Sequence, residues 1–75
     1  MGTLNFENIN LGDVFTKNGI NYAVVNKSNK LISHDMGGWT TKKVTLFNKE
    51  YGKTIMNCVK RGNEYIADNW WRKTN

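Results

Sequence analysis

Apolar and polar residues alternate over short stretches of this chain, and alternation is the signature of a strand, whose successive side chains point to opposite faces. Leu11-Gly12-Asp13-Val14-Phe15-Thr16 predicts a first strand, and Lys17-Asn18-Gly19 a tight hairpin turn, because Asn and Gly tolerate positive φ. Ile20, Tyr22 and Val24 then share one face of a returning strand, with Ala23 and Val25 on the other. A second turn is expected at Asn26-Lys27-Ser28-Asn29, leading into Lys30-Leu31-Ile32-Ser33-His34, and Met36-Gly37-Gly38 breaks that strand. Gly37-Gly38 reads either as a loop that lets a ligand approach the backbone or, more simply, as a hairpin or bulge needing positive φ.

Beyond Trp39, the β-branched run Thr40-Thr41-Lys42-Lys43-Val44-Thr45-Leu46-Phe47 predicts a strand with Val44 and Leu46 on one face. A competing reading exists, because Val44, Phe47 and Tyr51 also fall at helical spacing, with Thr41 as a cap and Gly52 as a stop. Lys53 to Lys60 predicts a further strand with Ile55 and Val59 inward, and Arg61-Gly62-Asn63 turns it into Glu64-Tyr65-Ile66-Ala67. Asp68 to Asn75 forms a short aromatic and basic tail. In an extended tail, Trp70 and Trp71 face opposite ways, so one small core cannot bury both. The expected fold is therefore all-β, a five- or six-stranded SH3-like or OB-like barrel with at most one short helix. At 75 residues it is expected to be one domain spanning 1–75.

Charge modifies this picture. Residues 1–37 carry three lysines and three acids, whereas residues 38–75 carry eight basic and three acidic side chains and so hold the whole net charge of +5. A one-sided surplus lowers the energy of approach of a polyanion in a salt-dependent way, although a few net charges also serve solubility alone. Cys58 is the lone cysteine, which excludes an internal disulfide and fits a reducing cytoplasm. No apolar run approaches the roughly 18 residues a membrane span needs, and Met1-Gly2-Thr3-Leu4-Asn5 has no basic stretch leading into an apolar one. A soluble, unexported, cytoplasmic protein is expected. The abundance of Asn and Lys fits an AT-rich coding sequence such as a bacteriophage carries, and with it a phage regulatory protein in a host cytoplasm.

Leu11-Gly12-Asp13-Val14-Phe15 followed by Gly19-Ile20-Asn21-Tyr22-Ala23-Val24-Val25 resembles the opening hairpin of SH3-like barrels of the KOW and Tudor kind. There a Gly-Asp dipeptide commonly precedes the first strand and an aromatic-plus-valine strand returns. The resemblance covers about a fifth of the chain. It implies a small barrel of a group that binds nucleic acid, ribosomal RNA or protein tails, and it transfers no functional residue.

Enzymatic chemistry has little to stand on. Neither the Gly-x-x-x-x-Gly-Lys-Ser/Thr phosphate loop nor Gly-x-Gly-x-x-Gly occurs. His34 and Asp35 are adjacent, which on a strand sends them to opposite faces, and a His34–Cys58 dyad is weaker than the ordinary packing of a buried Cys. The acids show no paired spacing, and one His with one Cys makes a poor metal set, so no cofactor or metal is expected. A binding module fits better. Trp39 with Lys42 and Lys43, then Lys60 and Arg61, and finally Trp71 with Arg72 and Lys73 interleave ring faces with cations. Bases stack on an exposed indole while Lys and Arg neutralise phosphates, at roughly 1–3 kcal/mol per stacked base. The expected site therefore has Lys42, Lys43, Lys60, Arg61, Arg72 and Lys73 on phosphate and Trp39 or Trp71 stacking. The alternative is a protein-interaction module, or an inhibitor of a host enzyme, whose aromatics form the contact and whose basic surface meets an acidic partner.

Overall fold

The computed structural model describes residues 4–34 and 39–74, with side chains described for 4–31 and 40–74. A 3-10 turn at Phe6–Asn8 precedes six strands: β1 (Val14–Lys17), β2 (Ile20–His34), β3 (Trp39–Asn48), β4 (Gly52–Arg61), β5 (Glu64–Ala67) and β6 (Arg72–Lys73). All pair antiparallel in one sheet of order β5-β4-β3-β2-β1-β6. The two outermost strands are consecutive in sequence, and the connection from Ala67 to Arg72 spans at most about 18 Å when fully extended. That short link forces the sheet to curl until its edges approach, and the result is a half-barrel. Among the described residues there is no α-helix, so the helical reading of residues 41–51 gives way to strand β3.

Turn chemistry sets the hairpins. Asn18 and Gly19 both have positive φ, 55° and 77°, and join Lys17 to its partner Ile20, as a two-residue loop matched to strand twist requires. Between β3 and β4, Asn48 accepts at Oδ1 from the backbone N–H of Glu50 and of Tyr51, at 2.7 and 2.9 Å, before Gly52 takes φ 84°. The same Asn48 donates through Nδ2 to the Asn21 carbonyl at 2.8 Å, which fastens this turn to β2.

The inner face holds the core: Phe6, Ile9, Phe15, Val24, Val44, Leu46, Met56, Cys58, Ala67 and Trp71. Val24 lies opposite Leu46, Val44 opposite Met56 and Cys58 opposite Ala67, so side chains from neighbouring strands meet in rows. Phe6 and Ile9 come from the segment before β1, which is bound to β5 by the Ala67 N–H donating to the Leu4 carbonyl at 2.8 Å. Tyr22 meets Trp71 edge to face, with centroids 5.5 Å apart.

Three expectations change. The turn expected at Asn26–Asn29 does not form, because β2 continues through it. Its register slips twice against β3: Val25 is an extra residue between Val24 and Asn26, and Asn29, Lys30 and Leu31 lie between the paired Ser28 and Ile32. Turn-prone residues are used here as bulges, which bend and twist a strand without reversing it. The inward positions of β4 are Met56 and Cys58 rather than Ile55 and Val59, because the Asn48–Gly52 pairing sets Met56 against inward Val44. The first strand starts at Val14, with Leu11 exposed ahead of it. The expectations for Gly37-Gly38 and for Asp35 lie outside the described residues, and those for the Trp39 and His34 side chains outside the described side chains.

Candidate functional site on the outer sheet face

Alternation separates the cations expected to act together. Lys42 points inward opposite Cys58, its side chain 14% exposed, with Nζ 5.0 Å from the Phe6 centroid, 4.6 Å from that of Tyr65 and 3.7 Å from Glu7 Oε2. Lys43 points outward and donates to Asn57 Oδ1 at 2.7 Å. A second inward lysine, Lys27, opposes Val44, donates to the Phe6 carbonyl at 2.8 Å and lies 4.3 Å from that ring's centroid. Lys27 and Lys42 therefore clasp Phe6 as cations over an aromatic face. Lysine stems pack well against apolar groups, which is why both can leave the solvent-facing set.

Lys60 and Arg61 are exposed at the rim where β4 turns into β5, with Arg61 opposite Glu64 in the strand register. Arg72 and Lys73 lie on β6, and Lys73 reaches Asp13 at 3.7 Å. In the sheet register, Arg72 opposes Thr16 and Thr16 opposes Asn21, beside the turn rim and away from Arg61. The seven expected residues whose side chains are described thus do not form one cluster. Trp71 is 3% exposed and offers no open ring face, whereas Trp70, in the turn before β6, is 56% exposed.

The register brings a different set together. Lys17 Nζ lies 5.8 Å from the Trp70 centroid and 5.3 Å from that of Trp71, so this cation sits beside the one described exposed indole. Arg72 shares the outer face with Thr16 and Asn21, whose side chains hydrogen-bond each other at 2.7 Å. The next outward row runs Val14, Ala23, Phe47, Lys53 across β1 to β4. Phe47 is 41% exposed and lies directly opposite Lys53. From β6 to β4, four strand spacings cover roughly 19 Å along the sheet. Arg72, Phe47 and Lys53 thus lie on the outer face, whereas Lys17, in phase with inward Phe15, brings its ammonium beside Trp70 and Trp71 at the rim of the β1–β2 hairpin. Composition alone did not reveal Phe47 or Lys53, because their shared face depends on the β3–β4 register.

Cys58 is fully buried, and burial, reinforced by the nearby charge of Asp68, pushes its thiol up to about 11, away from the reactive thiolate. Among the described residues, no three His, Cys, Asp or Glu side chains group as a metal ion would require. No helix among them is long and apolar enough to cross a membrane. Comparison with protein-family models, with curated proteins and with solved structures finds no match to this chain.

Proposed function

We propose that this chain is a non-enzymatic nucleic-acid-binding protein that uses the exposed ring and cations at the rim of its β1–β2 hairpin together with the adjoining outer face of the half-barrel. The observation that carries the reading is the open indole of Trp70 beside Lys17 and two residues before the exposed Arg72. An exposed ring supplies a stacking platform, and the flanking cations neutralise phosphate and release its counterions. Phe47 lies opposite Lys53 in the sheet register, a second exposed ring with a cation on the adjacent strand. Arg72 keeps the role expected from the sequence, and Lys73 is given none, because its ammonium already pairs with Asp13. Lys42 and Lys43 are given none, because both ammonium groups already have intramolecular partners. The Asn- and Lys-rich composition is the whole support for a phage regulatory setting.

A salt titration of oligonucleotide binding tests this. The slope of log K against log salt should fall by about one when Arg72→Glu or Lys53→Glu removes a phosphate contact. No association at low salt removes the proposal.

A second reading, a protein-interaction module with an acidic partner, is favoured by one observation. Val25, Phe47 and Ile55 are 48%, 41% and 41% exposed on adjacent strands of the outer face. Exposed apolar side chains in one neighbourhood mark contact surfaces. A partner of this kind binds through Phe47 and Ile55 with weak salt dependence, in contrast to the steep dependence expected for a polyanion.

A further inference from the structure

Resting on the nucleic-acid reading, we propose that the β3–β4 turn is the second half of the binding surface, with Tyr51 stacking a base and Lys49 holding phosphate. The ligand then lies over one end of the half-barrel, where three turns meet. Sheet register defines that end. Strand β4 runs from Gly52, opposite Asn48, to Arg61, opposite Glu64, so the β3–β4 and β4–β5 turns lie at opposite ends. Asn48 Nδ2 donates at 2.8 Å to the carbonyl of Asn21, the neighbour of Ile20 at the β1–β2 turn. The β3–β4 turn therefore shares its end with the β1–β2 turn, where Lys17 meets Trp70 of the β5–β6 connection.

Tyr51 is presented from an ordered backbone. Its N–H donates to Asn48 Oδ1 at 2.9 Å, and the same Asn48 fastens the turn to β2. Tyr51 is 65% exposed, so its ring has area to offer a base, as that of Trp70 does. The midpoints of the β1–β2 and β3–β4 turns are two strand spacings apart, roughly 10 Å, which places both rings within reach of one short ligand. Charge complements a polyanion here. Residues 17–20, 48–53 and 69–72 carry Lys17, Lys49, Lys53 and Arg72 against Glu50 alone. Among the described residues none of these four cations forms an ion pair, whereas Lys42 and Lys73 pair with Glu7 and Asp13. Asp68 lies further along the barrel, where its N–H donates to the Asn57 carbonyl. A cluster of unpaired cations beside exposed rings attracts phosphate and gives stacked bases a platform.

The experiment measures fluorescence anisotropy of a labelled eight-nucleotide single strand at low salt. It uses the full chain, Trp70→Ala, Tyr51→Ala, Tyr51→Trp, Lys49→Ala and, at the far end, Lys60→Ala. Tyr51→Ala is expected to weaken binding by roughly five- to a hundredfold, as loss of one stacked base implies, and Tyr51→Trp, which keeps a ring, to stay within about threefold of the parent. Lys49→Ala should lower the slope of log K against log salt by about one. Lys60→Ala is expected to stay within about threefold, since an exposed charge away from the ligand acts only through the screened general field. Circular dichroism confirms that each variant is folded, as truncation of exposed side chains allows. Binding weakened by Trp70→Ala but unchanged in Tyr51→Ala and Lys49→Ala overturns the role of the β3–β4 turn and leaves the nucleic-acid reading standing. Tyr51→Trp as weak as Tyr51→Ala overturns stacking at this ring. Absence of binding by the parent chain overturns both the inference and the reading beneath it.

Discussion

Trp71 puts its indole into the core against Tyr22 and leaves Nε1 buried, with no acceptor among the described residues. An unmade buried hydrogen bond costs about 1–3 kcal/mol, which offsets part of what the ring gains by burial. Trp71→Phe keeps most of the apolar area and removes the orphan donor, so urea denaturation should find it within about 1 kcal/mol of the parent. Trp71→Ala, which leaves a cavity, should lose about 3–5 kcal/mol. Cys58 gives a pH-dependent counterpart. Its folded thiol titrates near 11 against an ordinary value of 9.0. Below pH 9 the thiol is protonated in both the folded and the unfolded chain. Between 9 and 11 only the unfolded chain releases the proton, so stability falls as pH rises through that window, by at most about 1.4 kcal/mol per unit. Cys58→Ala should show a shallower decline over the same range, and the parent thiol should react with alkylating reagents only as the chain unfolds. At this scale the sequence was partly legible. One indole of Trp70 and Trp71 is exposed and one buried, as expected, though through a turn rather than an extended strand, while opposition of neighbours separates Lys42 from Lys43, a consequence that their shared charge obscured.

Strand β4 shows where local pattern stops being sufficient. Ile55 and Val59 are strong β-formers, and on propensity either face of Lys53–Lys60 can serve as the inner one. The choice is made outside the strand, by the three residues between Asn48 and Gly52, which fix the register against β3. Met56→Ala should therefore cost about 2–5 kcal/mol by chemical denaturation, and Ile55→Ala less than about 1 kcal/mol, since only the former empties core volume. The reverse ranking refutes the register. Turns with a conformational requirement of their own were readable: Asn18-Gly19 specifies its hairpin by two positive φ values. Gly19→Val, forced into that region, should lose about 1–2 kcal/mol. The bulges at Val25 and at residues 29–31 were not readable, because a bulge is a property of two paired strands and only one of them carries the turn-prone residues.

At the scale of the whole molecule, the C-terminal charge surplus does not become one basic face. Curling carries Arg61 and Arg72 to different rims, folds Lys42 into the interior and ties Lys43 to Asn57. What composition did anticipate is the type of surface, ring faces beside cations, while the residues forming it depend on strand order and register. Because Trp70, Lys17, Phe47 and Lys53 come from different strands and turns, the surface they form exists only in the folded sheet, and binding should disappear with the unfolding transition.

The most direct measurement is a two-dimensional amide NMR titration of the isotopically labelled chain with a short single-stranded oligonucleotide at low salt. The account predicts that shifts concentrate at Thr16, Lys17, Asn21, Phe47, Lys53, Trp70 and Arg72, including the Trp70 indole N–H. Lys60, Arg61 and Glu64 should stay near their free positions. Shifts centred on the Lys60–Arg61 rim, or a spectrum that the oligonucleotide leaves unchanged, would contradict it.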